Sequence, residues 1–471
     1  MSFLNEKRAL SREKRLGTVS NYNGSLEAFV QDIGDTEIKQ RVRTFSQSYK
    51  DEVIAAIHTL AGIKNSVFIV NGSLGCAASA LYYNDVYEGI HWYSTNLKER
   101  DTILGGDEKL RESIRRAYEE RHPEVIFVVG TPVVAINNDD IASVILELED
   151  ELGIKIIHIQ TDGFKTKTLF SGYDMVLHAL LKYVVKSEKS ESETVNLITL
   201  SDRVEDISAV TQILKDLDIS YRILPQFADI KAIEDAASAK ASIVLNPEEG
   251  EYLAEQLEEV YGVPYIRTEI PVGIRGTGAF IRKIADVLGI EEKAEKYINE
   301  KEKAVEEFLN SNLLTGKKIF LDIKIYSAEG FIPLIRRLGG EVSALAFGSI
   351  DLNNRAVISQ LEGVRSTIPV MIANGQEFEK ANIIKREEID IYISQSKDTA
   401  FAYRAGAYPV TLSSISILAY KGIEELINRL RAAKRSITGL SERRASDRPE
   451  EIYTSGWLKR STNWYVKKEV S

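Results

Sequence analysis

The chain has 471 residues, 44% hydrophobic and 28% charged, with a formal net charge of −10, so it has ample apolar mass for about three domains of roughly 150 residues. That acidic balance excludes the basic surface that nucleic-acid binding needs. No apolar run approaches the roughly 20 residues of a membrane span, and the charged start MSFLNEKRALSREKR lacks a secretory apolar core, so a cytoplasmic location is expected.

In chain order, short apolar runs predict strands over 67–70, 125–129, 154–159, 196–200, 242–245, 319–323, 342–347, 370–373, 389–393 and 409–412. Helical patterns lie between them. The clearest unit runs from 125 to 159. A strand leads to Asn138, Asp139 and Asp140, whose side chains can cap the next helix. Ile141, Val144, Ile145, Leu148 and Leu152 then recur at helical spacing, Gly153 ends the helix, and a second strand follows. Repeated along the chain, this alternation predicts an α/β protein of three Rossmann-like domains with mainly parallel sheets. The polar stretch SEKSESET (187–194) reads as a linker, and 291–316 reads as a long charged helix ended by Gly316. The expected domains are therefore 1–190, 191–315 and 316–471. Polarity rises again over 436–451, ahead of a tail that carries Trp457 and Trp464.

Two common chemistries are missing. There is no G-x-x-x-x-G-K-[ST] loop to cradle phosphates and no G-x-S-x-G nucleophile elbow. The five histidines are His58, His91, His122, His158 and His178, so the later part of the chain offers no imidazole. A single cysteine, Cys76, excludes an internal disulfide and any cluster or zinc site built from this chain's thiolates alone.

Cys76 lies in VFIVNGSLGCAA (67–78), where a strand runs into a glycine-punctuated turn. Ligands bind at the carboxyl ends of strands in such sheets. Gly72 and Gly75 are expected to relieve steric crowding, letting the backbone turn tightly, approach a bulky group and place Cys76 at the start of the next helix. Helix N-termini favour the thiolate, the form that binds iron. A lone cysteine is equally compatible with a small buried apolar side chain, and a G-x-x-G turn with phosphate binding.

The series NGSLGC (71–76), STNLKERDTILGGDEKLRESIRR (94–116), VIFVVGTPVVAINNDDI (125–141), IQTDGF (159–164) and SGYD (171–174) resembles, in order and spacing, the N-terminal domain of nitrogenase component 1 subunits. GVPYIRTEIPVGIRGTGAFIRKIADVLG (262–289) is similar to the segment that leads onward in that family. The resemblance covers about the first 290 residues; beyond Gly316 only the general pattern and the Trp-rich tail agree.

That resemblance implies three Rossmann-like domains and two homologous subunits that hold an iron–sulfur cluster between them, fed by a separate ATP-dependent iron protein. Catalytic relatives hold a P-cluster with three cysteines per chain. Here only the middle one remains, as Cys76; the first falls near Ser46 and the third at Pro132. The pattern matches relatives in which one subunit gives three cysteines and its sister a single ligand, which together complete a 4Fe-4S cube. The resemblance thus implies a β-type, or cofactor-scaffold N-type, subunit with Cys76 as metal ligand and Gly72 and Gly75 beside it. Its partners would be an α-type sister subunit in a heterotetramer and the iron protein, through which alone ATP enters. The alternative is a metal-free scaffold or small-molecule-binding protein that kept the fold and lost the redox site.

Other polar groups have ordinary explanations alongside functional ones. Asp139 and Asp140 match a GDD-like signature but can cap a helix. Glu99 and Arg100, with Gly105 and Gly106, match a segment near the partner interface or form a solvated turn. His91 and Trp92 could line a cavity or join an aromatic cluster, and Lys165 and Lys167 could face an acidic surface or water.

Overall fold

Val- and Ile-rich runs of four to seven residues are too short for stable helices, and their β-branched side chains pack well on a pleated surface. In the computed structural model, residues 9–19, 22–33, 51–82, 91–164, 166, 168–186, 192–201, 203–309, 312–359, 361, 364–373 and 375–446 are described, and their strands form three sheets. The first strand, β1 (Tyr22–Ser25), belongs to the last sheet. β2 (Ser66–Asn71), β3 (Trp92–Ser94), β4 (Val125–Gly130) and β5 (Lys155–Ile159) make the first sheet, parallel throughout, in the order β3-β2-β4-β5. β6 (Val195–Thr199), β7 (Tyr221–Pro225), β8 (Ser242–Val244) and β9 (Tyr265–Ile266) make the second, also parallel, ordered β7-β6-β8-β9. The third holds β10 (Lys318–Asp322), β11 (Glu341–Phe347), β12 (Pro369–Ile372), β13 (Ile391–Ser394) and β14 (Tyr408–Thr411), ordered β1-β12-β11-β10-β13-β14. Only β1 runs antiparallel, against β12.

Every strand expected from the sequence is present, with its ends within two residues of the reading. Those not anticipated, β1, β3, β7 and β9, are short or interrupted by polar residues and Pro, so they carry no apolar run to recognise. Two helices depart from expectation. The charged helix spans Glu291–Leu309 rather than reaching Gly316, because Leu314 leaves helical pairing to donate its N–H to the Leu338 carbonyl at 2.8 Å. Gly316, at φ 71°, instead serves the turn before β10. The last helix, Ala419–Ser446, continues eleven residues, 436–446, into the stretch read as polar.

The chain divides into two compact units. One comprises Met1–Arg15, Tyr49–Asp202 and Asp218–Arg267 and contains the first two sheets; the other comprises Leu16–Ser48, Arg203–Leu217 and Thr268–Ser471 and contains the third. Among the described residues, no helix is long and apolar enough to cross a membrane.

Within the first unit, the SGYD motif acts as an anchor. Ser171 Oγ accepts from Arg12 N (2.9 Å) and donates to Glu13 Oε2 (2.8 Å). Asp174, buried in the helix Phe170–Tyr183, accepts from Arg15 Nη2 at 2.6 Å and lies 4.0 Å from Arg12 Nη1. Gly172 lets that helix approach closely, since a Cβ there would sit 2.1 Å from the Glu52 carbonyl oxygen.

Candidate functional site

The carboxyl edge of the first sheet is built from hydroxyl groups that tie each strand end to its neighbour. Thr131 Oγ1, after β4, donates to the Asn71 carbonyl at the end of β2 (2.7 Å). Thr95 Oγ1, after β3, accepts from Gly72 N (2.9 Å) and donates to Asn71 Oδ1 (3.0 Å). Thr161 Oγ1, after β5, donates to the Gly130 carbonyl (2.6 Å). Asn71, Thr95, Thr131 and Thr161 are all buried, so these bonds form in a low-dielectric setting where an unmade one is costly. The ladder holds the Asn71–Gly72 turn in place.

Gly72 is required by packing: a Cβ there would lie 2.1 Å from Thr131 Oγ1. Gly75 differs from the expectation. The nearest atom to its would-be Cβ is Ser73 Oγ at 3.8 Å, and the residue is exposed, so nothing among the described residues crowds it. Cys76 is the third residue of the helix Leu74–Tyr82 and half-buried. Ser73 Oγ accepts from Cys76 N (3.4 Å) and donates to Sγ (3.3 Å), so the sulfur is held at the helix entrance and still reaches the surface.

Each strand of this sheet hands its end to a segment with an exposed large apolar side chain. Leu74 follows β2, Ile103 and Leu104 follow β3, Ile136 follows β4 and Phe164 follows β5; each is more than half exposed. The segments bearing Ile103 and Ile136 touch, with Asn137 Nδ2 donating to the Thr102 carbonyl at 2.8 Å. Apolar side chains gathered on one edge mark a surface that a partner covers, whereas scattered ones need no explanation.

Of the two aspartates expected to cap, only Asp140 does, accepting from Ser143 N (3.1 Å) and Ser143 Oγ (2.6 Å). Asp139 turns inward toward Gly106, and its Oδ2 is buried without a hydrogen-bond partner. Burial, then the neighbouring Asp107, raises its carboxyl above the usual range. Glu99 and Arg100 lie on the exposed helix Glu99–Leu104, closed by Gly105 at φ 101°. Trp92 is partly buried and packs against the core of the first unit. Ser46, Lys165, Lys167, Trp457 and Trp464 lie outside the described residues.

Sequence reading missed Glu52. It is fully buried, and its Oε1 accepts from Asp162 N (2.5 Å) and Gly163 N (3.1 Å) while Oε2 accepts from Thr166 Oγ1 (2.7 Å). Burial raises its carboxyl above the usual range, and these hydrogen bonds partly offset the shift. It opens a helix behind Asp51, where an acidic residue is routine, so nothing local distinguished it.

Among the described residues, no histidine is hydrogen-bonded to Cys76. His58 Nε2 meets the Leu200 carbonyl (2.9 Å), His178 Nδ1 meets the Tyr252 hydroxyl (2.8 Å) and His122 ends a helix in the left-handed conformation. In β5, burial lowers His158 from 6.5 to about 4. The native state therefore keeps His158 neutral while the unfolded chain protonates below pH 6.5, so its contribution to stability is complete above that pH. It should fall by up to about 3 kcal/mol between pH 6.5 and about 4. Denaturation midpoints of His158→Gln should accordingly lose less than wild type between pH 7.5 and 5; parallel losses would refute the assignment.

Among the described residues, no group of three or more His, Cys, Asp or Glu side chains is placed to hold a metal. With a single cysteine in the chain, the donor set fits one corner of a thiolate-held cluster, and any further thiolates would come from outside this chain.

A family model for nitrogenase component 1 type oxidoreductases matches residues 52–433. The chain is 29% identical over 359 residues to the nitrogenase iron-molybdenum cofactor biosynthesis protein NifE of Clostridium pasteurianum, covering 73% of this chain and 77% of the relative. It is 26% identical over 408 residues to the nitrogenase molybdenum-iron protein alpha chain of Methanothermobacter thermautotrophicus, covering 80% and 84%. A solved structure, nitrogenase Cp1 at pH 6.5, superposes with a TM-score of 0.73 at 17% identity over 90% of this chain and 99% of that one.

Proposed function

The chain belongs to the nitrogenase component 1 type oxidoreductase family, and we propose that it is one subunit of a nitrogenase-like reductase in the cytoplasm, with Cys76 holding one corner of a 4Fe-4S cluster shared with a homologous α-type sister subunit in a heterotetramer. The observation that carries this reading is the placement of the only thiol: surface-reaching, at a helix entrance, on a sheet edge lined by exposed apolar side chains. Such a cluster, when bound, transfers electrons at low potential. This chain's residues would do the positioning. The threonine ladder holds the turn, Ser73 Oγ orients Sγ, and Leu74, Ile103, Leu104, Ile136 and Phe164 exclude water once a partner covers them. Without a phosphate-cradling loop in this chain, ATP enters only through a separate iron protein that docks transiently on the complex.

The relatives carry NifE and alpha-chain names, whereas a chain offering one thiolate fits the β-type half of a pair. The cysteine count of the sister subunit, three on this proposal, decides between them. A second reading, a metal-free nitrogenase-fold scaffold or small-molecule-binding protein, is favoured by that same single thiol, since this chain alone completes no cluster.

Anaerobic co-purification with the sister subunit, followed by iron quantification and an ultraviolet–visible spectrum, separates the two. The reductase reading expects a brown complex with about four iron atoms per pair, mostly lost in Cys76→Ala. A colourless complex, or iron indifferent to Cys76→Ala, sinks it.

A further inference from the structure

We infer that Glu52 is a positioning residue for the Cys76 site, fixing the loop after β5 as one wall of it; the part that concerns metal rests on the proposed cluster. Carboxylates in a helix's first turn ordinarily face water or the helix's own free amides. Glu52 instead directs both oxygens to Asp162, Gly163 and Thr166, more than a hundred positions away, and is 0% exposed. A charged acceptor so deeply placed is tolerated only when its hydrogen bonds are made, which here requires the loop to stay put.

What the loop touches gives the placement its meaning. Gly163, at φ 78°, lies against the Pro132 ring, where a Cβ would be 3.0 Å from Cγ. Pro132 follows Thr131, and Thr131 fills the space over Gly72 that a side chain would need. Contacts therefore run without a break from Glu52 through Gly163, Pro132 and Thr131 to Gly72, the residue that begins the turn to Cys76. The same hold leaves Phe164 52% exposed at the rim. With Glu52 removed, the loop loses three hydrogen bonds to a charged acceptor and the wall loses its fixed position. Glutamine in the same place keeps an oxygen for the two amides and an amide that can pair with Thr166.

The test compares Glu52→Ala and Glu52→Gln with wild type, each co-purified anaerobically with the sister subunit. Hydrogen exchange at the Asp162 and Gly163 amides should rise by about tenfold or more in Glu52→Ala and return close to wild type in Glu52→Gln. Iron per complex should fall several-fold in Glu52→Ala at unchanged far-ultraviolet circular dichroism, and recover in Glu52→Gln. Unchanged exchange in Glu52→Ala overturns the inference, as does raised exchange with full iron. If the wild-type complex itself carries no iron, the cluster proposal falls instead, and the exchange comparison alone decides whether Glu52 holds the loop.

Discussion

Gly72→Val is expected to lower stability by about 3–5 kcal/mol, a large part of the ~5–15 kcal/mol that holds a typical native protein. The first carbon added would meet Thr131 Oγ1 at 2.1 Å and the Thr131 carbons at 2.9 Å. Thr131 cannot yield freely, because its hydroxyl is committed to the Asn71 carbonyl and the residue has no exposed surface into which to rotate. The variant therefore suffers both the overpacking and the loss of a buried hydrogen bond at the base of the Cys76 turn. Thermal or urea midpoints would measure the loss, and a midpoint equal to wild type would refute the packing argument. Gly75→Ala is the informative control. Its added methyl would meet Ser73 Oγ only at ordinary contact distance, 3.8 Å, and alanine suits a helix better than glycine by up to about 1 kcal/mol, so the isolated chain should be unchanged or slightly stabilised. Weakened pairing with the sister subunit in that variant would mean that a partner sits over Gly75.

The second large effect is expected at Asp174. Asp174→Ala should cost about 3–5 kcal/mol, because it removes the buried carboxylate that faces two guanidinium groups, Arg15 at 2.6 Å and Arg12 at 4.0 Å. Arg12 is itself buried, and the Glu248 carbonyl (3.3 Å) and Glu251 (3.8 Å) are among its other contacts. Asp174→Asn keeps an oxygen for Arg15 and should lose less. Added salt should do little to narrow the gap between Asp174→Ala and wild type, because buried pairs are weakly screened, whereas the exposed Arg115–Glu151 pair should be sensitive to salt. Midpoints of the two Asp174 variants at low and high salt test this; equal midpoints for wild type and Asp174→Ala would contradict it.

The sequence was most informative where structure follows local pattern. The strand over 125–129, the helix stripe from Ile141 to Leu152 and the stop at Gly153 are each read from residues within a few positions of one another. The structure keeps all three, with Gly153 in the left-handed conformation at φ 65°. Asp140 could also be read, because a capping residue bonds an amide three positions away. Asp139 could not: its direction depends on Gly106, brought beside it by the packing of a separate helix. Glu52 was invisible for the same reason. One more glutamate opening a helix gives no sign that its partners are Asp162, Gly163 and Thr166.

By itself the sequence determined an α/β chain of three mainly parallel sheets and a single thiol at the turn between a strand and a helix, because side-chain periodicity and glycine punctuation are local properties. Tertiary structure decided what surrounds that thiol. Thr95, Thr131 and Thr161 come to one edge only because the strand order β3-β2-β4-β5 lays their strands side by side. Strand order is set by which apolar faces bury one another across long stretches of chain, and no pattern within a few residues encodes that choice.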